Sequence, residues 1–171
     1  MPRKERRMRK FLICLILALP VAGITQSRDN SPPVTVRTFA RAIAYAEGFG
    51  RPHAIPTRYH NPGDLKAVRG FAYPGQKAVG KAGHIIFRTD ADGWAALEHQ
   101  IQRTLDGESR IYSIRMSLRD YSRRYAGNSR RWCANVARAL TANADVTLAE
   151  LFEIAPVITF PPNPDWLKGI L

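Results

Sequence analysis

Between Gly48 and Gly83 the chain carries Pro52, Pro56, Pro62-Gly63 and Pro74-Gly75. A run so rich in Gly and Pro reads as a long irregular stretch. Inside a compact domain, that length points to a functional loop region. The flanking sequence is mostly helical in its spacing. Phe39, Ile43 and Ala46 recur at intervals of four and three, one stripe of a helix from about Val36 to Glu47 that Gly48 stops. Past the loops, His84-Ile85-Ile86-Phe87-Arg88 is a strand candidate, and Thr89 to Gly93 a turn or helix cap. Trp94, Leu97, Ile101 and Leu105 mark a second helix ending at Gly107, with Trp94 read as core. Ser117 caps a third helix with Leu118, Tyr121 and Tyr125 on one face. Asn128 or Ser129 caps a fourth, with Trp132, Val136 and Leu140. Thr147 caps a fifth, with Leu148, Leu151 and Phe152 inside it and Pro156 at its end. The expected class is mainly α, an α+β arrangement in which a small loop-and-strand insertion separates the first two helices.

The N-terminus reads as an export signal. Arg3, Lys4, Arg6, Arg7, Arg9 and Lys10 precede an apolar run from Phe11 to Ala22, too short for a comfortable membrane span. Pro20 spoils the cleanest cleavage site, and an uncleaved anchor is the rival reading. The expected organisation is a signal peptide at 1–24, a linker at 25–35, one compact domain at 36–155 and a Pro-rich tail at 156–171. The whole chain has 26 basic and 14 acidic residues. Six basic residues and one acidic residue leave with the signal, so the mature chain keeps 20 and 13, a net +7. For an exported basic protein the expected partners are anionic cell-wall polymers and membrane surfaces. The basic residues are dispersed, without the aromatic-interleaved patch of a nucleic-acid binder, so no nucleic acid is expected. His53, His60, His84 and His99 share no ligand spacing, and neither metal nor cofactor is expected. Cys133 alone remains after the signal; it sits in an apolar helical pattern and reads as buried packing. A monomer is expected.

Glu47 is the candidate for chemistry. It is the only acid between Asp29 and Asp64. A carboxyl at a helix C-terminus faces the negative end of the macrodipole, and its neighbours here are apolar. Both disfavour the ionised form. A carboxylic acid kept protonated near neutral pH is what general acid catalysis at a glycosidic oxygen needs. The plainer reading is an exposed Glu that happens to end a helix.

The downstream motifs strengthen the first reading. They are Arg58-Tyr59-His60-Asn61-Pro62-Gly63-Asp64-Leu65, then Ile86-Phe87-Arg88-Thr89-Asp90-Ala91-Asp92-Gly93-Trp94, Ser117-Leu118-Arg119-Asp120-Tyr121 and Trp132-Cys133-Ala134-Asn135-Val136. This ordered set resembles the lysozyme-like peptidoglycan-cleaving proteins, closest to the small lytic transglycosylases and muramidases. The resemblance covers about residues 36–152. It implies a lysozyme-like fold, glycan strands of peptidoglycan as substrate, and Glu47 as the catalytic acid. The same likeness assigns Asn61, Gly63 and Asp64 of the loop, and Tyr125, to substrate binding. Asp64 stands where such loops usually carry Asn, which places a second carboxyl near the expected cleft.

Each of these has a structural alternative. Asn61 and Asp64 suit a turn, Tyr125 suits core packing with Leu118 and Tyr121, and Asp90 and Asp92 suit helix capping. A two-carboxylate mechanism asks for a separation of roughly 5–9.5 Å. No acid is an evident second catalyst, which favours a single-Glu lytic transglycosylase over a hydrolytic muramidase or glucosaminidase. A non-catalytic wall-binding protein on the same fold is the remaining alternative.

Overall fold

A computed structural model describes residues 34–127 and 129–153. The expected signal segment, nearly all of the linker, Asn128, Pro156 and the C-terminal tail lie outside the described residues.

Helix α1 spans Val36–Glu47, opened by Thr35 in a reciprocal capping box with Thr38. Gly48 closes it at φ 80°, where the left-handed backbone favours glycine. The Gly48 amide donates to Tyr45 O and the Phe49 amide to Ala44 O, so the last carbonyls of α1 are satisfied. The Gly- and Pro-rich stretch is more ordered than its composition suggests. It holds a one-turn helix α2 at Ile55–Arg58, with Pro56 at its start, and strand β1 at Gln76–Val79. Strand β2, Ile85–Phe87, pairs antiparallel with β1 across a bulge between Gln76 and Ala78. The strand β1 escaped the sequence reading because its side chains are largely exposed and show no apolar alternation.

Helix α3 is Asp90–Leu105, capped by Thr89 and Asp92 in a second capping box. Helices α4 (Leu118–Tyr125), α5 (Arg130–Ala139) and α6 (Leu148–Leu151) follow, capped by Ser117, Ser129 and Thr147. The fifth expected helix stops at Leu151 rather than at Pro156. The chain turns at Phe152, and Glu153 adopts a left-handed φ of 53°. The start of α6 is tied to that of α4: Leu118 N donates to Val146 O, and Leu148 N to Met116 O.

The fold is α+β, helices with one small antiparallel sheet placed between α1 and the long helix α3. One apolar core joins them. Phe39 and Ile43 of α1, Phe87 of β2, Leu97 and Ile101 of α3, Tyr121 of α4 and Val136 of α5 are all buried in it. Helix α1 runs through the middle, packed on both α3 and α5. Cys133 is buried and free. Trp94, read as core, packs against the core but only half-buried, edge-on to Phe49 with ring centroids 5.5 Å apart. Among the described residues, no helix is long and apolar enough to cross a membrane.

Candidate functional site

The closing turn of α1 leaves Glu47 half-buried with its carboxyl directed toward α5. There the indole Nε1–H of Trp132 donates to Oε1 at 2.7 Å. Oε2 makes no hydrogen bond among the described residues and remains available. Burial pushes the Glu47 carboxyl up to about 7; the Trp132 hydrogen bond opposes this and the negative charge of Asp64 adds to it. Desolvation by the packed neighbours is thus the main cause.

Trp132 is positioned by a column of rings. It stacks on Tyr125 with centroids 5.1 Å apart, Tyr125 on Tyr121 at 5.6 Å, and Tyr112 packs against Tyr121 at 4.6 Å. Tyr125 packs against Tyr121 as its structural alternative expects. Its ring belongs to this stack, while its hydroxyl donates to the carbonyl of Gly63 at 2.5 Å. Burial holds its phenol well above the ordinary range, and the charges of Tyr121, Glu47 and Asp64 push the same way. The phenol therefore lies within electrostatic reach of both carboxyls.

The loop that brings Asp64 there is built inward. Asn61 has no exposed surface. Its Nδ2 donates to Leu65 O and Ile85 O, both at 2.9 Å, and its Oδ1 accepts from Leu65 N at 2.8 Å. This corrects the expected sugar contact: the amide is spent on clamping the loop to β2. Gly63 is buried too. A Cβ there would stand 2.8 Å from Leu97 Cδ1 and 2.9 Å from the Tyr125 hydroxyl, so the loop packs only with glycine. Its role is likewise packing and a carbonyl for Tyr125, in place of direct substrate contact.

Asp64 follows in a left-handed conformation, φ 48°, which short polar side chains tolerate. Its carboxyl is half-buried and raised by that burial, with His84 and then Lys66 opposing. His84 Nδ1 lies 2.8 Å from Asp64 Oδ1 and 3.3 Å from the Asp64 carbonyl. The shorter contact is the nearest polar approach to Oδ1, a buried oxygen with no other side-chain or backbone donor beside it among the described residues. Asp92 caps α3 as expected, accepting from Thr89 N, while exposed Asp90 faces His60 Nδ1 at 2.7 Å.

Of the five expected site residues, Glu47, Asp64 and Tyr125 converge, while Asn61 and Gly63 support the loop beneath them. Sequence reasoning missed Trp132 and His84 as partners of the carboxyls. Trp132 lies 85 residues from Glu47 and sits in an apolar stripe that reads as core. His84 opens an apolar strand, and a polar residue at that position was the one available signal. The arrangement provides a proton donor poised near neutral pH, a second carboxyl within range of its charge, and no group of metal-binding side chains among the described residues. No family model, curated protein or solved structure matches the chain.

Proposed function

We propose that this protein is an exported, lysozyme-like peptidoglycan-cleaving glycosidase. It acts on the β-1,4 bond between N-acetylmuramic acid and N-acetylglucosamine as a lytic transglycosylase. One observation carries the reading: a half-buried carboxyl at a helix end, held by an indole N–H, with its pKa raised to about 7. Such a group is protonated in a large fraction of molecules at neutral pH and can protonate a leaving oxygen. In this mechanism Glu47 gives its proton to the glycosidic oxygen as the C1–O bond breaks. The resulting carboxylate takes the proton of the sugar's own 6-hydroxyl, whose oxygen bonds to C1. The product carries a 1,6-anhydro ring, and Glu47 is again protonated. Trp132, stacked on Tyr125, keeps the carboxyl in place. The basic surface favours residence on anionic wall polymers.

A hydrolytic muramidase is the second reading, favoured by the charge of Asp64 acting on Glu47. There Asp64 would activate water or balance the developing cation. Mass spectrometry of soluble fragments from purified peptidoglycan separates the two. Anhydro-muropeptides from the wild type and none from Glu47→Gln are the expected result. Reducing-end products would place the protein among the hydrolases. An absence of products from either protein would leave a wall-binding role.

A further inference from the structure

We propose that the groove between α1 and α3 is a second binding site, one that takes a short peptide segment by its free carboxylate. Two helix stripes form it. Arg37 and Arg41, at spacing i and i+4, come from α1; Ala91, Trp94, Ala95 and Glu98, at i, i+3, i+4 and i+7, come from α3. They enclose about 410 Å³, within the range of small-ligand sites.

The lining is chemically divided. Arg37 Nε contacts Glu98 Oε1 at 3.2 Å, with Glu98 the less exposed of the two, so one end of the groove is neutralised. Arg41 has no carboxylate partner among the described residues. One guanidinium thus stays free for an anion, in the fork geometry that suits a carboxylate. The floor is low and apolar, because Ala91 and Ala95 leave space beside the half-buried indole of Trp94. Glu98 supplies an acceptor for an ammonium or amide N–H.

This pattern selects among ligands. A bare sugar would leave the charge of Arg41 unmatched, and a polyanion would find a single free guanidinium beside an already neutralised pair. A peptide end carries all the complementary parts: a carboxylate for Arg41, a small apolar side chain for the floor, and a donor for Glu98. The groove is also linked to the catalytic end of α1. Trp94 packs on Phe49, two residues beyond Glu47, so an occupant would press on the turn that holds the carboxyl. The proposal does not depend on the cleavage reading.

The test uses the full chain, isotopically labelled, titrated with the synthetic peptide Ala-Ala-Lys-Ala while the Trp94 indole N–H is followed by NMR. A saturable shift is expected. Amidating the peptide C-terminus should weaken binding about tenfold or more, as should Arg41→Gln, an exposed change that leaves the core intact. The proposal is overturned if Trp94 shows no saturable shift, or if binding is indifferent to amidation or to Arg41→Gln. It is equally overturned if an oligonucleotide or peptide-free glycan moves Trp94 and the peptide does not. Since glycan cleavage is read from product masses, failure of one proposal leaves the other standing.

Discussion

Glu47 couples the stability of the fold to pH. Its folded pKa of about 7 stands above the ordinary 4.5, so the fold prefers the protonated acid. The stability associated with this group is full below pH 4.5 and is lost as pH rises through about 7. The gap corresponds to roughly 3 kcal/mol once the group is ionised. Glu47→Gln keeps an acceptor for Trp132 and removes the charge. The variant is expected to be up to about 3 kcal/mol more stable than wild type at pH near 8, with the advantage shrinking toward pH near 5; denaturant titrations at the two pH values check this. The same change should lower glycan cleavage by about 10²–10⁴-fold, read by release of soluble fragments. In the proposed mechanism the acid form is the active one, so wild-type cleavage should fall as pH rises through about 7. Trp132→Phe deletes a hydrogen bond that lowers this pKa, so the alkaline limb of the pH–rate profile should move upward. An unmoved or lowered limb would mean that the indole does not set the proton affinity. Glu47 itself was legible as the candidate acid, since a helix end and apolar neighbours are local features. Its indole partner was not, because nothing local links residues 47 and 132.

Among the elements, the 61–65 loop does the most to place the site. Asn61 satisfies Leu65 N, Leu65 O and Ile85 O inside the fold. Asn61→Ala would leave the buried Leu65 N without its acceptor and take the side-chain donor from Ile85 O, while Leu65 O keeps the Ile85 amide; a cost of about 1–3 kcal/mol is expected, visible as a lowered denaturant midpoint. Gly63→Ala would drive a methyl toward Leu97 and the Tyr125 hydroxyl. It is expected to destabilise by about 1–3 kcal/mol and to disturb the Tyr125 stack, which near-UV circular dichroism would register. The Asn-Pro-Gly turn was legible as a loop motif. Its direction was not: turn chemistry is the same whether the Asn side chain faces a ligand or the strand behind it. Only the burial of the loop against β2 decides that. The helix caps were the most legible features. Thr147, Ser117 and Ser129 act within three residues of themselves, and that reach is short enough to read from sequence.

For the molecule as a whole, the charge balance is the property carried furthest from sequence to behaviour. Without the expected signal segment, twenty basic residues against thirteen acidic ones should hold the protein of the proposed function on an anionic wall. Retention on purified sacculi should drop as salt rises from about 50 mM to about 0.5 M, where screening shortens to a few ångströms. Salt-independent retention, measured by co-sedimentation, would instead point to site binding. By itself the sequence determined five helical segments, the Ser117, Ser129 and Thr147 caps, the loop region between α1 and α3, and the candidate acid Glu47, but not the one-turn helix α2. Those properties follow from periodicity, turn chemistry and side-chain type, all of which act over a few residues. Tertiary structure alone decided that Trp132 meets Glu47 with Asp64 in range of its charge, that Asn61 and Gly63 turn inward, that β1 joins β2, and that Trp94 lines a groove. Each of these depends on contacts between segments distant in the chain, where the packing of one core selects which faces meet and which carboxyls lose their water.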